Sequence, residues 1–129
     1  MGSGQLSKVK KLVGRLKKRS EFVHVSANGK EWVTQGFILV ASAQSQTSRP
    51  DLECFPRVGF TATKKIGNSV VRNKAKRILR AISREVLTSS NTPAWDYVLI
   101  ARKALTTLNY KELKQDFRWA IKQLEAKIV

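Results

Sequence analysis

The stretch 70–87 constrains this chain more than any other, because it writes a helix with two opposed faces. At about 100° per residue, Val71, Ala75, Ile78, Leu79, Ile82 and Val86 fall in an arc about 100° wide, which has to be buried against a hydrophobic layer. Arg72, Lys76, Arg80 and Arg84 repeat at i, i+4 as a rail beside that arc. Asn73 and Arg77 lie next to the rail, and Lys74 lies on the far flank. Like charges at this spacing cost roughly 0.2–0.5 kcal/mol per pair. Arg72 and Lys74 also occupy the first turns, where the helix dipole disfavours cations. Between Glu53 and Glu85 there is no acid, against nine bases: Arg57, Lys64, Lys65 and six on the helix itself. Such a helix is stable only on a sheet or helix layer, and its outer face suits a polyanion. The plain alternative is a solvated cationic face. Spacing, acid depletion and the arginine content, which favours forked phosphate contacts, argue against that alternative.

The rest of the composition agrees. The chain has 129 residues, enough for one domain, and its apolar share of 42% supports a core. Its 25 Lys and Arg against 9 Asp and Glu leave a net charge of +16, a self-repulsion that a bound polyanion relieves. Nucleic acid is the first candidate and an anionic membrane surface the second. No apolar run is long enough to span a membrane, and no apolar h-region follows Lys8, Lys10 and Lys11, so neither a transmembrane helix nor a secretory signal is expected. Leu6 stands where a myristoylation site has Ser or Thr. Cys54 is the single cysteine, so it forms no internal disulfide and cannot anchor a zinc site alone; the expected compartment is the reducing cytoplasm.

Along the chain, residues 1–19 carry seven bases and no acid. Most of this reads as a flexible basic arm, assigned to 1–14, ahead of a single α/β domain at 15–129. Ser20 is placed to cap a short helix through Phe22, Val23 and Val25 that Asn28 and Gly29 end. Residues 32–43 read as one strand, apolar on both faces at Phe37 to Val40, and 44–56 as a polar loop. Residues 57–63 alternate as a strand. Gly67 to Ser69 end it and start the basic helix, with Asn68 or Ser69 as N-cap. A strand at 95–102 and a helix from Asn109 follow. In that helix Asn109 and Glu112 resemble a capping box, and Leu113, Phe117, Ala120, Ile121, Leu124 and Ile128 make the apolar face. The order is α-β-β-α-β-α. It predicts an α+β fold, a two-layer α/β sandwich with a central sheet of about four strands.

The run TKKIGNSVVRNKAKRILR at 63–80 strongly resembles the signature of the bacterial ribonuclease P protein subunit. RLKK at 15–18 followed by Phe22, RVGF at 57–60 and YVLIARK at 97–103 resemble further elements of that family, so the likeness spans roughly 15–125. The resemblance implies a helix carrying the Arg-Asn-Arg box on one side of the sheet, and a left-handed βαβ crossover against the usual rule. It also implies a function as the protein subunit of ribonuclease P. That protein binds a catalytic RNA and the 5′ leader of precursor tRNA, forms a 1:1 holoenzyme, and assists a Mg²⁺-dependent endonucleolytic cleavage performed by the RNA. Two departures stand out. The box here is Arg72-Asn73-Lys74, with a lysine as its last member, and Ser26 stands where many members carry a second aromatic.

For catalytic RNA the resemblance and the rail together nominate Lys64, Lys65, Asn68, Arg72, Asn73, Lys74, Lys76, Arg77 and Arg80, acting mainly on phosphates and 2′-OH groups. Asn68 serves equally as a plain N-cap. For the leader they nominate Phe22 as a stacking surface, Ile38 and Val40 as cleft lining, and Lys17, Lys18, Arg102 and Lys103 as flanking charge. Phe22 as a helix staple, and Ile38 and Val40 as ordinary core, are the structural alternatives. Trp32, Trp95 and Trp119 read as packing residues. His24, the only histidine, has no partner at catalytic spacing, and the scattered acids suggest no metal site in the protein. No catalytic residue is therefore expected in the chain, and the Mg²⁺ is expected mainly on the RNA. A ribosomal protein or RNA chaperone is the alternative that composition alone leaves open.

Overall fold

The computed structural model describes residues 13–43, 56–88 and 93–128; the Asn91 region, Cys54 and the arm before residue 13 lie outside the described residues. Five strands, β1 (Gly14–Arg15), β2 (Lys30–Val33), β3 (Phe37–Ala43), β4 (Arg57–Thr61) and β5 (Trp95–Ala101), form one sheet in the order β1-β4-β5-β3-β2. Three helices accompany them: α1 (Arg19–Asn28), α2 (Ser69–Leu87) and α3 (Tyr110–Ile128). β4 and β5 are adjacent and parallel, and α2 is the crossover between them. β3 is antiparallel to both β5 and β2, and β1 adds a parallel pair to β4.

The α+β class holds, with five strands where about four are expected and three are read along the chain. One extra strand comes from splitting 32–43. Thr34 folds the chain back at Phe37, its hydroxyl donating to the Phe37 carbonyl at 2.8 Å and accepting from the Phe37 N–H at 3.1 Å. The apolar run Phe37 to Val40 masked this turn. The other is β1: the Gly14 N–H reaches the Pro56 carbonyl at 2.8 Å, and Leu16 behind it is buried.

Alternation along the strands sorts two cores. Phe37, Leu39, Ala41, Tyr97 and Leu99 face α2 and α3, where they meet Ala75, Leu79, Ile82 and Val86 of α2 and Leu113, Phe117, Ala120, Ile121 and Leu124 of α3. The apolar arc read from α2 is therefore its buried face, with Ile78 partly covered. Phe117 packs edge-on against Phe37 and Tyr97, at 5.7 and 6.4 Å between ring centres. On the opposite face a smaller cluster of Leu16, Val25, Val40 and Val98, with Phe22, Ile38 and Ile100 against it, seats α1 across β3 and β5. The N-cap of that helix is Lys18, not Ser20. Glu21 supplies the cap, its Oε1 accepting the backbone N–H groups of Lys17 at 2.8 Å and Lys18 at 2.9 Å.

Candidate nucleic-acid interface

The basic face is built from the α2 N-terminus outward. Lys64 and Lys65 are exposed on a 3-10 turn, Lys64–Ile66, that leads from β4 to Gly67. Gly67 has φ 148°, a conformation open to glycine, and a Cβ there would stand 2.9 Å from the Val71 Cβ. Asn68 is the N-cap, its Oδ1 accepting the Val71 N–H at 3.0 Å. Asn73, Lys74, Lys76, Arg77 and Arg84 are exposed. Arg72 and Arg80 are half-buried, and their Nε atoms are out of solvent without a hydrogen-bond partner. From Arg72 to Arg84 the rail runs about 18 Å at helical rise. Among the described residues, the ion pairs join Arg57 to Glu21 and Asp96, and Lys114 to Glu85; none neutralises a cation of α2. Glu85, the one acid of that helix, is turned away to Tyr110 and Lys114 of α3, and these two bonds hold its carboxyl below the usual carboxylate range.

A cleft of about 840 Å³ opens on the α1 side of the sheet. β1 pairs only with Arg57 and Val58, which leaves the β4 edge open from Gly59 onward. α1 walls the opening with Lys17, Arg19, Phe22, Val23, Ser26 and Ala27; Phe60, Thr61 and Ala62 line it from β4 and just beyond, and Val98 and Ile100 from β5. Lys76 of α2 reaches the same cleft, so the rail and the cleft meet there. Phe22 lies directly over Gly59, where a Cβ would stand 2.5 Å from its ring. The ring thus packs on the smaller core and still lines the cleft. The Arg15 guanidinium stands 5.7 Å from the centre of the Phe60 ring.

The other leader candidates are distributed differently. Ile38 and Val40 share the cleft's face of the sheet but pack in the cluster under α1; the strand residues lining the cleft are Val98 and Ile100, their cross-strand neighbours. Lys17 lines the cleft, while Lys18 is exposed at the start of α1. Arg102 is committed to the fold, its Nη1 donating to the Thr34 carbonyl at 2.7 Å and its backbone N–H to Gly36, so it clamps the β2–β3 turn. Lys103 is exposed at the head of a 3-10 turn, Lys103–Thr107. Trp32 and Trp95 pack on the core as expected, but Trp119 is 57% exposed on the outer face of α3. His24 is exposed beside Asn28.

Sequence reasoning missed the role of Arg57, which it counted only as one base of an acid-free stretch. Its Nε and Nη2 donate to the two oxygens of buried Asp96 at 2.8 and 2.6 Å, and its Nη1 to Glu21 Oε2 at 3.0 Å. Asp96 foremost raises the Arg57 pKa above its ordinary value. The backbone N–H of Lys18 foremost lowers that of Glu21. These partners are far apart in sequence, and no local spacing signals them.

Among the described residues no group of three or more His, Cys, Asp or Glu is placed to hold a metal ion, and no helix is long and apolar enough to cross a membrane. The family profile described as Ribonuclease P matches residues 11–125. The chain belongs to the ribonuclease P protein family. The ribonuclease P protein component of Paramagnetospirillum magneticum is 42% identical over 113 residues, covering 87% of this chain and 83% of that protein. The component from Listeria innocua is 32% identical, covering 84% and 85%. In fold, the solved ribonuclease P protein of Thermotoga maritima superposes with a TM-score of 0.68 at 23% identity, over 84% of this chain and 96% of that one. As a ribonuclease P protein, the chain has its role in tRNA 5′-leader processing as part of that enzyme.

Proposed function

We propose that the chain docks on the catalytic RNA through the α2 face, with Lys64, Lys65, Asn68, Arg72, Asn73, Lys74, Lys76, Arg77 and Arg80, and receives the single-stranded 5′ leader of precursor tRNA in the cleft beside α1. The observation that carries this reading is the continuity of an unneutralised cationic rail with a cleft lined by Phe22 and Phe60, joined at Lys76. Phosphates and 2′-OH groups are the natural ligands of the rail. The cleft suits unpaired nucleotides, which stack on aromatic faces and thread a positively charged groove. In this reading hydrolysis and its Mg²⁺ belong to the RNA, in a 1:1 complex in the cytoplasm. The protein supplies binding, and through the leader it holds the scissile bond in register.

The test separates the two surfaces. Arg72→Glu with Arg77→Glu, which spares the shared Lys76, weakens binding of a bacterial ribonuclease P RNA. Phe22→Ala leaves that binding intact and weakens binding of precursor tRNA by the holoenzyme while sparing mature tRNA. A general RNA-binding module, such as a chaperone, would instead lose affinity for all three RNAs together in the rail variant and show no leader dependence.

A further inference from the structure

Within the cleft reading, one acid stands out on a surface otherwise selected for cations. Glu21 sits at the first turn of α1, one residue before Phe22, and it is tied twice over. One oxygen closes the helix start on the N–H groups of Lys17 and Lys18, and the other meets Arg57 at 3.0 Å. Arg57 belongs to β4 and is itself fixed in a fork on Asp96 of β5 at 2.6 and 2.8 Å. Three elements thus converge on one guanidinium: the wall of the cleft and the two strands of its floor. The remaining contacts of α1 with the sheet come from a small cluster in which Val25 is its only fully buried side chain. A helix of ten residues with so little buried area has no stability of its own. Its angle over Gly59, and with it the width of the cleft at Phe22, depends on this anchor.

We propose that Glu21 is a positioning residue for leader binding: through Arg57 and Asp96 it holds α1, and so Phe22, at the correct height over β4. The proposal rests on the cleft as the leader site. It makes a prediction opposite in sign to simple electrostatics. Glu21→Gln makes the protein one unit more positive, which by charge alone strengthens binding of every RNA. Positioning requires that the variant bind leader-bearing precursor tRNA more weakly, by about fivefold or more, the scale of a lost charge-assisted contact. Mature tRNA and catalytic RNA should be bound as well as before or slightly better.

The experiment measures holoenzyme affinity for precursor and mature tRNA with wild type, Glu21→Gln, Phe22→Ala and the double variant, alongside amide hydrogen exchange of the free protein. The expected result is a selective loss with precursor, little further loss when Glu21→Gln is added to Phe22→Ala, and faster exchange confined to α1. Arg57→Lys, which keeps the charge and loses the fork, should reproduce the selective loss in part. Tighter precursor binding in Glu21→Gln, equal losses with both tRNAs, or full additivity with Phe22→Ala overturns the proposal while leaving the cleft reading in place. A Phe22→Ala variant that binds precursor normally overturns both.

Discussion

Gly67 shows how a single residue sets the interface. With φ 148° and ψ −166° it occupies a region reserved for glycine, and it delivers the chain from β4 to Asn68 at the angle that lets the Asn68 side chain cap α2. Gly67→Ala is expected to destabilise the fold by about 1–3 kcal/mol, read as a lower midpoint in urea with unchanged slope. Ser26 sits one turn beyond Phe22 on the cleft wall, where many relatives are expected to carry an aromatic. Ser26→Phe should therefore add a stacking surface worth about 1 kcal/mol or more, seen as roughly fivefold tighter binding of precursor tRNA with no change for mature tRNA. Local chemistry of this kind was readable in advance: a turn glycine and an N-cap asparagine announce themselves. Trp119 did not, because residue type alone reads it as a packing residue, whereas its angle places it off the apolar stripe of α3 and it is 57% exposed. The structural role of Arg57 was not legible either, since its acids, Glu21 and Asp96, lie far away in sequence.

At the scale of elements, α2 and α1 are held by different means and should fail differently. α2 buries a continuous stripe of Ala75, Leu79, Ile82 and Val86, so charge changes on its outer face leave the fold intact. Arg72→Glu with Arg77→Glu should lower affinity for catalytic RNA and make the dependence of log K on log salt shallower, because fewer counterions are released. An unchanged slope would contradict the rail assignment. α1 depends on Glu21 in its charged form. Its carboxyl is held below the ordinary value of 4.5, chiefly by the Lys18 N–H, with Lys17 and Arg57 assisting. A depressed folded pKa gives stability that is fully present above the ordinary carboxylate value and lost as pH falls through the folded one. Exchange of α1 amides should thus accelerate as pH falls below about 4.5, beyond the change in the intrinsic rate, and Glu21→Gln should remove that dependence. Periodicity placed α2 and α3 well, since each follows one stripe over many turns. It merged β2 with β3, because the Thr34 turn is made by a side-chain hydroxyl inside a run rich in strand formers.

For the whole molecule, the central fact is how the charge is divided. Among the described residues the ion pairs join Glu21 and Asp96 to Arg57 and Glu85 to Lys114, and none of them neutralises the α2 face. The class of partner was legible from the net charge of +16 and the spacing on one helix. The cleft was legible only as a short list of residues, not all of which line it, because its walls come from α1, β4, β5 and α2, which only the sheet order β1-β4-β5-β3-β2 brings together. The parallel β4–α2–β5 crossover places the rail and the cleft side by side, and under the proposed function this adjacency would let one small protein touch an RNA and that RNA's substrate at once. The measurement that tests this account most directly is reconstitution. The chain is added to a bacterial ribonuclease P RNA at a Mg²⁺ concentration too low for the RNA alone, and 5′ cleavage of precursor tRNA is followed. The account predicts that cleavage at the mature 5′ end is restored, and that Phe22→Ala restores it less well on precursor with a full leader. Cleavage that stays at the level of the RNA alone, with the chain bound, would contradict it.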